Sequence, residues 1–159
     1  MATLDVSGEV IVDMFAGIGY FSLPLSVYGA PAKVLACELN PLAHRYLREN
    51  ARLNKVEGVL EPRLGDNREA PEGIADRVVM GYVKTTHHFL PKAMRILKPE
   101  GGVIHYHETC PVELLPDRPL QRVREAAEAA GRSASLLNFK NIKSYAPGID
   151  HVVLDVQIS

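Results

Sequence analysis

The stretch Val10-Ile11-Val12-Asp13-Met14-Phe15-Ala16-Gly17-Ile18-Gly19-Tyr20-Phe21 decides the fold. Val10 to Val12 is a short β-branched run, as expected of a strand buried on both faces. Asp13 ends that run. Gly17 and Gly19 follow, in a turn where a side chain would block close backbone approach. Tyr20 to Tyr28 then reads as a helix, stopped by Gly29-Ala30-Pro31. Strand, glycine turn and helix start make the first unit of a doubly wound nucleotide-binding sheet. A Gly-x-Gly alone is also an ordinary tight turn, so the reading needs a second element.

That element is Lys33 to Cys37, another buried run, closed by Glu38. Glu38 lies about twenty residues past the turn, where a carboxylate can accept hydrogen bonds from both ribose hydroxyls. A dinucleotide domain would share this feature. Two details favour S-adenosylmethionine over a nicotinamide cofactor. Asp13 stands just before the turn, where it would repel a pyrophosphate and attract a methionyl ammonium. Ser22 stands where a dinucleotide fingerprint carries its third glycine.

Length and composition agree with one domain. The 159 residues can bury a respectable core, and 47% apolar with 23% charged residues is ordinary globular composition. A net charge of −1 excludes a global basic field, though not a local basic face. Cys37 and Cys110 fall in different predicted elements and suggest neither a disulfide framework nor a zinc site. No apolar run reaches spanning length and the N-terminus has no signal-peptide pattern, so no membrane partner and a cytoplasmic location are expected.

Outward from the opening unit, strands and helices alternate. Asn40-Pro41 caps and starts a helix that runs to about Leu53. Val59 to Leu64 is a third strand, placed near an edge by Pro62. Gly65-Asp66-Asn67-Arg68 is a polar turn. Asp76 to Met80, a helix over Thr86 to Leu97, and Val103 to His107 follow. Leu120 to Ala130 is a helix, and Ser133 to Leu137 with His151 to Ile158 are predicted to be an antiparallel terminal pair. The fold class is α/β with a mostly parallel sheet.

In such sheets the ligand lies outside the carboxyl ends of the strands. The residues there are Asp13, Phe15, Ala16, Gly17 and Gly19; Glu38, Leu39 and Asn40; Asp66 and Asn67; Met80 and Gly81. These are the expected cofactor contacts, and Tyr82 and Lys84 follow at the same strand end. Asp66 suits an adenine amino group, or caps its own turn. His105 and His107 share a face of one strand. A metal would need further ligands and none is evident, so a packed or hydrogen-bonded pair is favoured and no metal is expected. Arg68 and His87 could meet RNA or solvent. Lys140, Lys143 and Tyr145 form a basic-aromatic cluster suited to phosphate and bases, or a solvated loop.

Several segments together resemble a known family: Asp13 to Gly19, Glu38-Leu39-Asn40-Pro41, Glu49-Asn50 with Leu53-Asn54-Lys55-Val56, and Asp66-Asn67-Arg68. The chain is similar to the archaeal and eukaryotic aminocarboxypropyltransferases of wybutosine synthesis, and to the related tRNA guanine-N1-methyltransferases. The resemblance implies a class I adenosylmethionine-dependent methyltransferase-like, Rossmann-like fold. It also implies action on the purine 3′ of the anticodon, hence tRNA as partner and adenosylmethionine as donor.

Where the methylating branch carries Asn-Leu-Pro, this chain reads Met80-Gly81-Tyr82. Ile104-His105-Tyr106-His107, Tyr145-Ala146-Pro147-Gly148 and His151 to Asp155 also look like the aminocarboxypropyl branch. The implied activity is transfer of the 3-amino-3-carboxypropyl group to 4-demethylwyosine in phenylalanine tRNA, with Tyr82 and Lys84 lining the acceptor mouth. Gly81 is expected to leave open the space that leucine takes in the other branch. The alternatives are guanine-N1 methylation and a non-catalytic cofactor- or RNA-binding module. Members carry a long tRNA-binding segment before the first strand, whereas nine residues precede it here. Residues 1–159 are therefore expected to be a single catalytic domain without that segment. No general base stands out.

Overall fold

The computed structural model describes residues 4–159. Among them, seven strands form one sheet in the order β3-β2-β1-β4-β5-β7-β6. These are β1 (Val10–Asp13), β2 (Lys33–Glu38), β3 (Leu60–Leu64), β4 (Arg77–Met80), β5 (Gly102–Pro111), β6 (Ala134–Ala146) and β7 (Ile149–Ile158). The first five are parallel, and β7 runs antiparallel to both β5 and β6. The expected architecture is thus observed. The order reverses at β1, which pairs with β2 on one side and β4 on the other.

Alternation along each central strand feeds two cores. Val12, Leu35, Val78, Met80, Ile104 and Tyr106 face one side, under α3 (Leu90–Ile96) and α4 (Asp117–Ala129). Ile11, Val34, Ala36 and Val79 face the other, under α1 (Ser22–Tyr28) and α2 (Pro41–Leu53). The α2 start is local chemistry: the Asn40 side chain accepts from the Leu42 and Ala43 N–H groups at 2.9 and 3.2 Å, with Pro41 at the first position.

Two expectations are corrected. The helix read over Thr86 to Leu97 is a 3₁₀ turn, Thr86–Phe89, followed by α3; Pro91 falls in the first turn of α3, where its missing N–H is not needed. β5 and β6 are far longer than their apolar runs suggest. β5 pairs with β7 over its full ten residues, and β6 extends to Ala146 with three register shifts. Lys140, Lys143 and Tyr145 therefore lie on an edge strand, not in a loop.

On the α1 side, the β4-β5-β7 part of the sheet is polar. Arg77 binds both carboxylate oxygens of Glu9, through Nε at 2.6 Å and Nη2 at 2.8 Å. Its Nη1 lies 2.7 Å from His105 Nε2. A guanidinium can only donate, so that nitrogen accepts and His105 Nδ1 carries the proton, facing Asp155. Arg77 is 8% exposed. Arg77→Met keeps the stem and strands the Glu9 charge, so it should destabilise the domain by about 3 kcal/mol. Urea unfolding of the two proteins side by side measures this.

Candidate functional site

The crevice beside the β1–β4 reversal opens at the carboxyl ends of the strands. A cleft of about 300 Å³ lies there, with Phe15, Glu38, Asp66, Asn67, Tyr82 and Phe89 in its walls. A larger groove, about 710 Å³, runs between α2 and the outer edge of β3, past Lys33, Arg45, Arg48 and Arg52. It lies toward the amino ends of β2 and β3 and gathers none of the strand-end acids. The smaller cleft is the candidate site.

The glycine turn follows directly on Phe15, at the edge of this cleft. Gly17 and Gly19 have φ of 57° and 107°, in the left-handed region. They serve different ends. A Cβ on Gly19 would overlap the Leu23 side chain, so that glycine allows helix packing. A Cβ on Gly17 would meet nothing within 4 Å, so that glycine leaves open space for a ligand. Glu38 holds the turn in place: Oε2 accepts from Gly17 N–H at 2.7 Å and Oε1 from Asn40 N–H at 2.9 Å.

Asp13, at the end of β1, is sealed off from the cleft, so its expected contact with a methionyl ammonium is corrected. Its carboxyl is fully buried, accepting from Ser22 Oγ at 2.7 Å and Phe15 N–H at 3.2 Å. It ties the end of β1 to the start of α1. Burial pushes its pKa up from 3.8 to about 6, against the lowering effect of those two bonds.

The adenine-side candidates differ from one another. Asp66 is paired to Arg68, whose Nη2 lies 2.6 Å from Oδ2, so Arg68 folds back on its own turn. Asn67 is 8% exposed; its Nδ2 donates to the Met14 carbonyl at 2.8 Å, and its Oδ1 has no partner. A buried orphan acceptor in a cleft wall fits a ligand N–H. Leu39 stands at the lip, 68% exposed, while Asn40 is occupied as the α2 cap. Ala16 is buried, its N–H donating to the Cys37 carbonyl at 2.9 Å.

Two more expectations are overturned at the end of β4. Met80 is core, 0% exposed. The space over Gly81 is not open: a Cβ there would run into the Phe21 ring. Tyr82 stacks on Phe15, ring centroids 5.2 Å apart at 19°, with Phe89 edge-on to Phe15 at 5.0 Å. Lys84 is exposed and lies outside the cleft lining.

The RNA candidates are not gathered into one patch. Arg68 is at the end of β3, His87 beside Arg122 (3.3 Å) under α4, and Lys140, Lys143 and Tyr145 on the far edge of the sheet. Among the described residues, no group of three or more His, Cys, Asp or Glu could hold a metal ion, and no helix is long and apolar enough to cross a membrane. The sequence reading missed Ser22 as the Asp13 partner and Phe21 as the cover of Gly81. Serine in place of a third glycine was the only signal for the first.

Comparison with known proteins bears on this geometry. The TRM5/TYW2 methyltransferase domain family matches residues 1–135. The tRNA(Phe) (4-demethylwyosine(37)-C(7)) aminocarboxypropyltransferases of Methanocaldococcus jannaschii and Pyrococcus horikoshii are each 48% identical over 99% of this chain. The chain spans 63% and 56% of their respective lengths. The crystal structure of M. jannaschii TYW2 in complex with AdoMet superimposes with a TM-score of 0.93 at 46% identity, covering 99% of this chain and 72% of that one.

The buried Asp13 generates a pH prediction. A carboxyl with a folded pKa raised above its unfolded value favours the folded state when protonated. Its contribution is full below 3.8 and is lost as pH rises through about 6. The displacement corresponds to at most about 3 kcal/mol. Asp13→Asn, which keeps an acceptor for Ser22, should therefore gain stability over the parent as pH rises from 4 to 7. The difference between the two denaturation curves, taken across that range, isolates this group from the other carboxylates.

Proposed function

The chain belongs to the TRM5/TYW2 methyltransferase domain family, and on that basis we propose that it is the catalytic domain of an adenosylmethionine-dependent aminocarboxypropyltransferase. The acceptor is 4-demethylwyosine in tRNA. The observation that carries the choice of reaction is the end of β4, where the Phe21 ring covers Gly81. The polar motif expected of the methylating branch has no counterpart at that position. The polar groups that would hold a base against the sulfonium methyl are replaced by Met80, Gly81 and Tyr82, which supports transfer of the chain over transfer of the methyl.

The residues present fit the donor. Glu38 suits the ribose hydroxyls, Asn67 Oδ1 the adenine amino group, and the open side of Gly17 the methionyl part. The bound donor supplies a sulfonium leaving group, so this chain's task is largely positioning. Phe15, itself met edge-on by Phe89, supports Tyr82, which stands 38% exposed at the mouth. Its free edge suits contact with a large aromatic base. Among the RNA candidates, Lys140 and Lys143 are exposed and suited to phosphate.

Two experiments test this reading. Glu38→Ala should weaken donor binding by roughly 1.5–3 kcal/mol for each charged hydrogen bond lost, read by calorimetry. Unchanged affinity would place the ribose elsewhere. Donor labelled in the methionyl chain, run beside donor labelled in the methyl, reads the reaction on demethylwyosine-containing tRNA. Chain label in the tRNA is expected, and Tyr82→Ala should lower its transfer by roughly 1–3 kcal/mol, the cost of a lost base–aromatic contact. Methyl label with no chain label would favour guanine-N1 methylation instead.

A further inference from the structure

One cluster beside the site is not used by the donor contacts above. Met80 pairs with Tyr106, so Gly81 runs on alongside His107. Phe21 joins the two: its ring covers Gly81 and lies 5.2 Å from the His107 ring. His107 Nδ1 is 3.0 Å from His151 Nε2 on β7. Two imidazole nitrogens at that distance share one proton, so one ring donates and the other accepts. His107 is 5% exposed and His151 is half-buried. His107 Nε2 has no hydrogen-bond partner among the described residues, yet it is not sealed from solvent.

Burial, aided by neighbouring cationic groups, keeps the pair neutral. Burial, then His151 and His105, push the pKa of His107 down to about 4, with Asp155 opposing. Asp155 is already engaged by His105. Burial, then Lys143, lowers His151 as well; Lys143 is its register partner on β6.

We propose that His107 is the base that removes the hydrogen of the acceptor carbon, and that His151 carries the proton away. This rests on the aminocarboxypropyl reading. In that reaction a ring carbon of the base forms a bond to the propyl carbon of the donor. The carbon–sulfur bond breaks, and its electron pair leaves on sulfur. As the new bond forms, positive charge develops over the ring system, and the hydrogen of the acceptor carbon leaves in the same step, so the rate of chain transfer depends on the base. His107 Nε2 takes that proton while its Nδ1–H passes to His151 Nε2, and the Nδ1 proton of His151 goes to water. The carbon–hydrogen electron pair returns to the ring. A cationic ring of this kind is a strong acid, so a weak base suffices, provided it is neutral at working pH.

The test has one readout without donor or RNA. Nitrogen–proton correlation spectra of the imidazoles in the intact protein at pH 7 should show His107 neutral, protonated on Nδ1 and bare on Nε2. A proton on Nε2, or a doubly protonated ring, would overturn the assignment. The second readout is single-turnover transfer of chain-labelled donor. His107→Gln should lower it about 100-fold or more while donor affinity is unchanged. Imidazole added to His107→Ala should restore part of the rate. Should the His107 variants fail to fold, His151→Asn carries the test, with a smaller fall expected. Parent-like transfer in the folded variants would overturn the inference and leave the proposed reaction standing. Methyl transfer by the parent protein would instead remove the reaction, and this inference with it.

Discussion

The Glu38 carboxylate is the contact on which the site depends. It reaches from the end of β2 to the Gly17 N–H in the turn after β1, and to the Asn40 N–H at the start of α2. Three pieces of backbone that are distant along the chain are thereby set against one another. A carboxylate has about four lone-pair positions, and these two bonds occupy one on each oxygen. A pair of ribose hydroxyls can use the others without displacing the turn. One side chain can thus both build the pocket and read what enters it, and the two roles do not compete.

How far the sequence reveals this depends on how local the physics is. β1, the glycine turn, β2 and α2 are legible because apolar runs, strand-end acids and an Asn-Pro cap act within a few residues. The break before α3 was equally local, since Pro91 stood in plain view. The lengths of β5 and β6 were not legible, whereas β7 is within two residues of its apolar run. Glu108 to Pro111 and Lys140 to Ala146 carry little apolar pattern, and pairing with a distant strand holds them extended. Inside the site the same division holds. Glu38, Asp66 and Asn67 announce themselves as strand-end polar groups. That Asp13 is sealed under Ser22, and that Phe21 rather than open space lies over Gly81, are facts of tertiary packing.

The histidines show the distinction again. His105 and His107 share a face, as their spacing requires, yet their surroundings differ. His105 lies within the chain of Glu9, Arg77 and Asp155, which fixes its tautomer and runs from the residue before β1 to β7. His107 faces a second imidazole and an aromatic ring. Only the antiparallel register of β5 and β7 brings His151 within reach, two residues off the direct partner of His107. Period-two alternation supplies the shared face, and the neighbouring strand decides what each ring can do.

The two rims of the sheet bear on how the protein behaves in a crowded solution. A free strand margin offers unpaired N–H and C=O groups to any other chain. β3 interrupts its own row of donors with Pro62. β6 breaks its spacing at Leu136/Asn138, Asn141/Lys143 and Ser144/Ala146, and exposes Lys140 and Lys143 along the same stretch. A second copy laid against either rim would find its ladder out of step, and at β6 it would meet like charge as well. Both rims of the sheet thus carry features that work against edge-to-edge pairing of copies.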